Sequence, residues 1–559
     1  MIHTPAADLI PRRNGRLSWQ ALPEWEPVLF GPEGLRLEEW RAGGRVRVVK
    51  HGAHRTVYHV EFSRRAFYVK QYRRERFFDA LGHLVRPSAA RRERHKAAET
   101  ARRGIRTVKP VAWAERVRGG LVRDNYLITE ALHPACSVER YWLDELPRLP
   151  PAAQRTMRRT ILEGVAAFVA AIHRAGIVHD DFHVGNVLLR LDTCRTHTAR
   201  NGGVPEFYLV DLPGVRFSGP LKWPASRASL IMFSAGWWER TSPSERLRFW
   251  RAYLCGRPDL DPPEPRAALR QLEQGAWEYC RRVARRRDKR ALRTNRDYVS
   301  LRQAHGVAHG VADLGPGELG RLLEEPGALL ERNLHRLVKL SHGELVVEAE
   351  LPVDGRPVHV AYARYRCGGG WSALWGRFRR ARALRGWCMG HALLARRIAT
   401  PRPVAVCQVR GPWWASYQYL AIEWIEGAED FHAYAARLAA RNPTDRLRRA
   451  GRLAETLGEL IGRMHASQIT HGNLKAGNLL VVDRGEKPQA YVIHAEDVRI
   501  ARRLRCARRA RDLARLAAGL AAHPWVTRPI LCRFLRAYVR QFPAKSLDWK
   551  RVWREAARS

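Results

Sequence analysis

The chain is short of acidic residues. It carries 55 Asp and Glu against 99 Lys and Arg, a formal charge of +44. An excess of that sign favours anionic partners: nucleic acid, anionic lipid headgroups or phosphorylated glycans. Arginine-rich, alanine-rich coding gives the same excess with no function attached, so charge speaks to partners and not to fold. Cysteine is scarce and odd in number. Cys136, Cys194, Cys255, Cys280, Cys367, Cys388, Cys407, Cys506 and Cys532 form no C-x-x-C pair. That excludes a disulfide framework and a zinc ribbon, and a reducing cytoplasm is the simplest home. No long uninterrupted apolar run occurs. The best candidate, "ILEGVAAFVAAIH" (161–173), is too short and contains Glu163, so no membrane-spanning helix is expected. The N-terminus "MIHTPAADLIPRRNGR" lacks a charged-then-apolar signal pattern. No aromatic–basic readout motif or zinc-finger spacing accompanies the positive charge, so sequence-specific nucleic-acid binding is not expected.

What is present is repetition. Residues 179–186 read "HDDFHVGN" and residues 471–478 read "HGNLKAGN". Both have the form His-x-[Asp/Asn]-x-x-x-x-Asn. Each follows an amphipathic helical pattern: Ile161, Leu162, Val165, Phe168, Val169 and Ile172 in the first, Leu453, Leu457, Leu460, Ile461 and Met464 in the second. Upstream, "GIRTVKPVAW" (104–113) matches "RIATPRPVAV" (397–406), and "NYLITEAL" (125–132) matches "QYLAIEWI" (418–425). Downstream, "FYLVDLPGVRF" (207–217) matches "AYVIHAEDVRI" (490–500), and "LRFWRAYL" (247–254) matches "CRFLRAYV" (532–539). Landmarks in one order at a near-constant offset indicate two homologous domains.

We expect a lead-in over 1–44, a first domain over 45–260, a basic helical segment and linker over 261–339, a second domain over 340–545 and a tail over 546–559. Within each repeat, strands such as "RTVYHVEF" (55–62) and "AFYVKQY" (66–72) precede a charged helix, more strands, and then long helices. The expected class is α+β: a small β-rich lobe followed by a larger helical lobe, twice.

The first loop carries a recognisable chemistry. A His-x-Asp-x-x-x-x-Asn loop followed by a strand ending in Asp suits phosphoryl transfer. Asp181 is the candidate acceptor of the attacking hydroxyl's proton. Asn186 and Asp211 are candidate hard-oxygen ligands for Mg²⁺ bridging the phosphates of ATP. Lys70, in "FYVKQY", is the candidate phosphate-holding lysine, and Glu93 in "ARRERHKAAE" the candidate partner that fixes it, with Glu99 on the same helix as its rival. Glu130, in the apolar run "YLITEAL", is a further nucleotide-binding candidate. His179 is expected to buttress the loop backbone. Taken singly each has a plainer role, as a strand-edge lysine, a helix cap or a surface charge. Their shared order is what carries the reading.

These segments together resemble the bacterial lipopolysaccharide kinases, the Kdo/heptose kinase family of the protein-kinase-like superfamily. The resemblance lies in "YVKQY", "ARRERHKAAETARRGIRTVKPVAW" (90–113), "IHRAGIVHDDFHVGNVLL" (172–189) and "VDLPGVRF" (210–217), with no A-P-E segment. It implies two tandem protein-kinase-like bilobal domains, ATP and Mg²⁺ as cofactors, and transfer to a sugar hydroxyl of an anionic glycolipid, with peripheral contact at the inner membrane left open. Three departures stand out. Gly52 is the one glycine in "KHGAHRTVYHV" (50–60), Asp180 replaces the Arg of protein kinases, and Asp211 is followed by Leu-Pro-Gly. His183 replaces the lysine of protein kinases, which keeps an aminoglycoside- or choline-type kinase in view beside a Ser/Thr protein kinase. A non-catalytic scaffold is the reading from another class.

The second copy lacks the same parts. Asp181 corresponds to Asn473, Asp211 to His494, Lys70 to Ala361 or Ala363, and Glu93 falls near Gly386; Asn478 alone is kept. A neutral amide cannot accept the proton, and an imidazole is a poor Mg²⁺ ligand. Glu496 and Asp497 lie beyond the strand-end position. We expect a regulatory pseudokinase.

Overall fold

The computed structural model describes the chain apart from residues 1–8, 15–16, 53–54, 63–64, 74–86, 119–120, 192–204, 238–239, 261, 263, 342–343, 368–381, 411–415, 484, 486, 543–546 and 559. Residues 53–54 of "KHGAHRTVYHV" (50–60) thus lie outside the described residues. The chain divides into two compact units, Met1–Tyr279 and Cys280–Ser559.

The first unit opens with a seven-stranded antiparallel sheet. Its strands are β1 (Ile10–Asn14), β2 (Leu17–Ala21), β3 (Val46–His51), β4 (Arg55–Glu61), β5 (Ala66–Arg73), β6 (Pro110–Arg118) and β7 (Leu121–Glu130), in the spatial order β1-β2-β6-β7-β5-β4-β3. Alternation decides the two faces of β5. Phe67, Val69 and Gln71 are buried on one side, while Tyr68, Lys70 and Tyr72 take the other. The buried side is covered by Trp25, Leu29, Phe30, Leu37 and Trp40. Trp25 and Trp40 meet Phe67 edge-on, with centroids 5.7 and 5.2 Å apart. Residues 10–40 are therefore the outer layer and the first two strands of this sheet, where the sequence suggested a lead-in.

Helix α1 (Ala89–Arg102) lies against the other face. Ser88 caps it by accepting from the Arg91 amide, and the buried Asn125 side chain accepts from the Ala90 amide at 2.9 Å. After β7 come β8 (Ala135–Ser137), the long helix α2 (Pro151–Arg174), β9 (Ile177–His179), β10 (Val187–Arg190), β11 (Glu206–Leu209) and β12 (Val215–Phe217). Three helices follow: α3 (Trp223–Ser234), α4 (Pro243–Cys255) and α5 (Pro265–Asp288). The apolar stripe of α2 is the centre of this region's own core, with Phe182, Phe233, Phe249 and Trp250.

The second unit repeats the order. Strands β13 (Tyr298–Gln303), β14 (Gly306–Val311), β15 (Leu337–Ser341), β16 (Glu344–Val353), β17 (Arg356–Cys367), β18 (Pro403–Arg410) and β19 (Ser416–Glu423) form a sheet in the order β13-β14-β18-β19-β17-β16-β15. Leu314, Leu319, Leu323 and Leu330 belong to the core of this sheet. The stretch 298–330, read from sequence as basic segment and linker, thus supplies two strands and a covering layer. Helix α6 (Arg382–Leu394) occupies the place of α1, and the buried Gln418 side chain accepts from Ala383 N–H at 3.0 Å as Asn125 does in the first unit. Then come α7 (Pro443–Ala466), β20 (Ile469–Thr470), β21 (Leu479–Val482), β22 (Gln489–Val492), α8 (Cys506–Leu520), α9 (Arg528–Val539) and α10 (Trp549–Arg558). The chain is therefore a mixed helix-and-sheet protein with two separate seven-stranded sheets. Among the described residues, no helix is long and apolar enough to cross a membrane.

Candidate active site

Sheet register places the first charges. Lys50, Val57, Lys70 and Leu127 are paired in one row across β3, β4, β5 and β7. Directly paired residues of an antiparallel sheet share a face. Two residues away, the row Arg55, Tyr72, Asn125 lies on that same face. This is the face α1 covers. Glu93 of α1 is 3% exposed and accepts from Lys70 Nζ at 2.5 Å. Tyr72 donates its hydroxyl to the second Glu93 oxygen. An ion pair this buried needs its partners held in place, since breaking one side strands a charge. Glu99, the rival on α1, faces elsewhere and pairs with Arg102 and Arg103.

The loop after α2 is built on His179. Its Nδ1 accepts from the Asp181 amide at 3.1 Å, and its Nε2 reaches the Val210 carbonyl at 3.3 Å. The imidazole thus ties the loop to the strand that delivers Asp211. Asn186 donates its side-chain N–H to the Asp181 carbonyl at 2.8 Å. That bond engages the amide nitrogen of the side chain. The Asp181 carboxylate is 73% exposed, 3.8 Å from His183 Nε2. It is open to an acceptor.

Asp211 stands two residues beyond the end of β11, in the left-handed region, φ 60°. Arg55 donates to its Oδ1 at 2.8 Å. Burial pushes the Asp211 carboxyl upward, but the Arg55 hydrogen bond and the charges of Arg55, Lys70 and Lys50 outweigh it and hold it below the ordinary carboxylate value. Lys96 of α1 donates to the Pro213 carbonyl at 2.5 Å, fixing the turn that follows. The structure thus brings together Lys70, Glu93 and Asp211, and sets Asn186 and Asp181 on the adjoining loop. Glu130 ends β7 with its side chain exposed and its backbone N–H on the Lys109 carbonyl at 3.0 Å. Sequence reasoning missed Arg55 and Tyr72. The available signal was their position, each two residues from a member of the Lys70 row.

The second unit shows the same backbone with different chemistry. His494 takes Asp211's left-handed position, φ 56°. His471 Nε2 meets the Ile493 carbonyl at 2.8 Å, and Asn478 donates to the Asn473 carbonyl at 2.7 Å. The row Lys339, Val346, Ala363, Leu420 matches the row Lys50, Val57, Lys70, Leu127. Of the two sequence alternatives, register therefore selects Ala363 as the counterpart of Lys70. The next row, Glu344, Tyr365, Gln418, puts a glutamate where Arg55 stands. Asn473 donates to Asp497 at 3.2 Å, and Glu496 accepts from Arg382 at 2.9 Å.

Comparison with known proteins bears on these two sites. The family model described as Lipopolysaccharide kinase (Kdo/WaaP) family matches residues 39–225 and again residues 351–538. The chain belongs to the lipopolysaccharide kinase (Kdo/WaaP) family. Both matched regions include the His-x-[Asp/Asn] loop, so the Kdo/WaaP pattern occurs twice in one chain. Similar curated proteins include the lipopolysaccharide core heptose(I) kinase WaaP of Pseudomonas aeruginosa, 30% identical over 27% of this chain and 54% of that protein. The enzyme of the same name from Escherichia coli K12 is 33% identical over 18% of this chain and 37% of its own length. The chain thus spans about half, or less, of the curated relatives it matches. A solved structure titled "WaaP in complex with acyl carrier protein" is similar at 21% identity and TM-score 0.31, over 43% of this chain and 92% of that one.

Proposed function

We propose that the first unit is an ATP- and Mg²⁺-dependent kinase that phosphorylates a sugar hydroxyl of lipopolysaccharide or a related glycolipid, and that the second is a regulatory pseudokinase. On this reading each unit is a bilobal protein-kinase-like domain. The observation that carries the catalytic assignment is the buried Lys70–Glu93 pair on the same sheet face as Arg55, which grips Asp211. The family supports the class of reaction, and the names of the curated relatives support a lipopolysaccharide acceptor.

The geometry supports a role for each residue. Lys70, oriented by Glu93 and through it by Tyr72, holds phosphate oxygens. The exposed Asp181 carboxylate orients and accepts the proton of the incoming hydroxyl. Asn186 and Asp211 would hold Mg²⁺: a neutral oxygen and a carboxylate kept ionised by its basic neighbours suit a hard cation that keeps water and substrate oxygens as its other ligands. When bound, the ion neutralises charge on the transferring phosphates. Arg55 and Lys50 add positive charge along the same face. The acceptor's own phosphates and the membrane surface that carries it are matched by the +44 charge of the chain. Contact with the inner-membrane face is peripheral on this reading.

The test is phosphate transfer from labelled ATP into cell-envelope glycolipid, protein and small-molecule fractions. Wild type is expected to label glycolipid, and Asp181→Asn and Asp211→Ala to fail. Equal labelling by all three ends the catalytic assignment. Label confined to protein, or to small molecules, ends the glycolipid assignment.

A further inference from the structure

The second unit has a cavity of about 380 Å³ at the place that corresponds to the first unit's site. Val346, Ala361 and Ile422 of the sheet line it, with Leu480 and Ile493 from beyond the sheet and the strand-end segment Glu423–Ile425 along its edge. These walls are largely apolar. A domain with no remaining use for a ligand has no reason to keep a cavity open, because filling such a void with larger side chains stabilises a core.

The polar end of the cavity has lost the first unit's excess of positive charge. Ala363 replaces the lysine, and Gly386 lines the cavity at Glu93's place. A Cβ on Gly386 would come within 2.8 Å of Leu420. Glu344 replaces Arg55 and is 6% exposed; Glu496 is 3% exposed. Arg382 lies between them, 3.2 Å from Glu344 and 2.9 Å from Glu496. Lys339 reaches Glu344 at 3.1 Å and His494 reaches Glu496 at 3.3 Å. The cations here are spent on buried carboxylates, whereas in the first unit Lys50, Arg55 and Lys70 outnumber the charge they face. A triphosphate brought to this end finds Arg382 and Lys339 already engaged, and taking either from its carboxylate would strand a buried charge.

We propose that this cavity binds a planar, phosphate-free heterocycle of the nucleoside class, neutral or singly cationic, and that it rejects nucleotides. The proposal rests on reading the second unit as a non-catalytic kinase-like domain. It adds what that domain senses: the slot for a base is kept, and the cations of the phosphate end are engaged by carboxylates of the domain itself.

The experiment uses the full chain with its first site saturated by Mg²⁺ and a non-hydrolysable ATP analogue, titrated with adenosine by calorimetry. About one further equivalent of adenosine is expected to bind, and AMP is expected not to displace it. Ala361→Leu and, from the opposite wall, Ile493→Phe are each expected to weaken adenosine binding by at least about tenfold. Glu344→Gln is expected to let AMP compete. Absence of adenosine binding by wild type, displacement by AMP as effective as by adenosine, or full binding by both wall variants overturns the proposal. Failure of the catalytic reading is read separately: loss of phosphotransfer with adenosine uptake intact would sink that reading and uphold this one.

Discussion

Single side chains carry most of the chemistry proposed for the first unit. Lys70→Ala leaves Glu93 buried without its cation and removes the phosphate contact. We expect a fall in turnover of about a hundredfold or more, with a lower melting temperature as well. Glu93→Gln keeps the volume and loses the charge, so its effect is expected to be smaller on stability than on the KM for ATP. Steady-state kinetics beside thermal melts separates the two. Arg55→Ala tests the Asp211 pair. Because the folded-state pKa of Asp211 is depressed, the pair contributes fully above the unfolded carboxylate pKa and is lost as pH falls through the folded value. Wild type is therefore expected to be more stable than Arg55→Ala near neutrality, with the gap closing on acidification below about pH 4. Denaturant melts across that range check it. A gap that stays constant would mean that Arg55 acts through packing alone.

Elements set where these side chains point. Helix α1 delivers Glu93 because its first turn is pinned twice, by the Ser88 cap and by Asn125 from β7. Asn125→Leu removes an acceptor from a buried amide. We expect a loss of about 1–3 kcal/mol and a raised KM for ATP as α1 loosens; unchanged KM would show that the Lys70–Glu93 pair positions α1 by itself. In the second unit, α7 and α9 pack without room for a side chain at two places. A Cβ at Gly458 would lie 2.4 Å from the Phe534 carbonyl, and one at Gly462 2.6 Å from that of Tyr538. Gly458→Ala should raise helix propensity yet destabilise the unit, by about 1–3 kcal/mol, in a chemical melt. A stabilising result would mean that the helices separate at no cost. The helices themselves were readable from sequence, since Leu453, Leu457, Leu460, Ile461 and Met464 fall on one stripe and are all buried. The glycine contacts were not, because they depend on a second helix some eighty residues away.

At the scale of the whole molecule, charge and repetition dominate. On the proposed reading, a +44 chain should bind vesicles of anionic lipid and release them with salt. Co-sedimentation at about 50 and 500 mM salt checks this, with neutral vesicles as control. Equal binding to neutral vesicles would assign the attraction to apolar surface, and none at low salt would leave the charge compositional.

Sequence by itself determined the repeat and the long helices and singled out the residues proposed for phosphotransfer, because these rest on local patterns: alternation, helical stripes, and a loop whose chemistry needs fixed residue types at fixed spacing. Tertiary structure decided what depends on pairing across distance. It put residues 10–21 and 298–311 into the two sheets, whose neighbours β6 and β18 lie some ninety residues further on. It chose Glu93 over Glu99, because one face of α1 meets Lys70 and the other meets solvent and arginine. It brought Arg55 to Asp211 in one unit and set Glu344 at the same register in the other. A one-residue slip in register would turn each of those side chains to the opposite face, and the register is fixed by the whole sheet and its covering layers. The substitutions in the second loop were legible in a line of letters; the paired carboxylates beside its open cavity required the strands to be laid side by side.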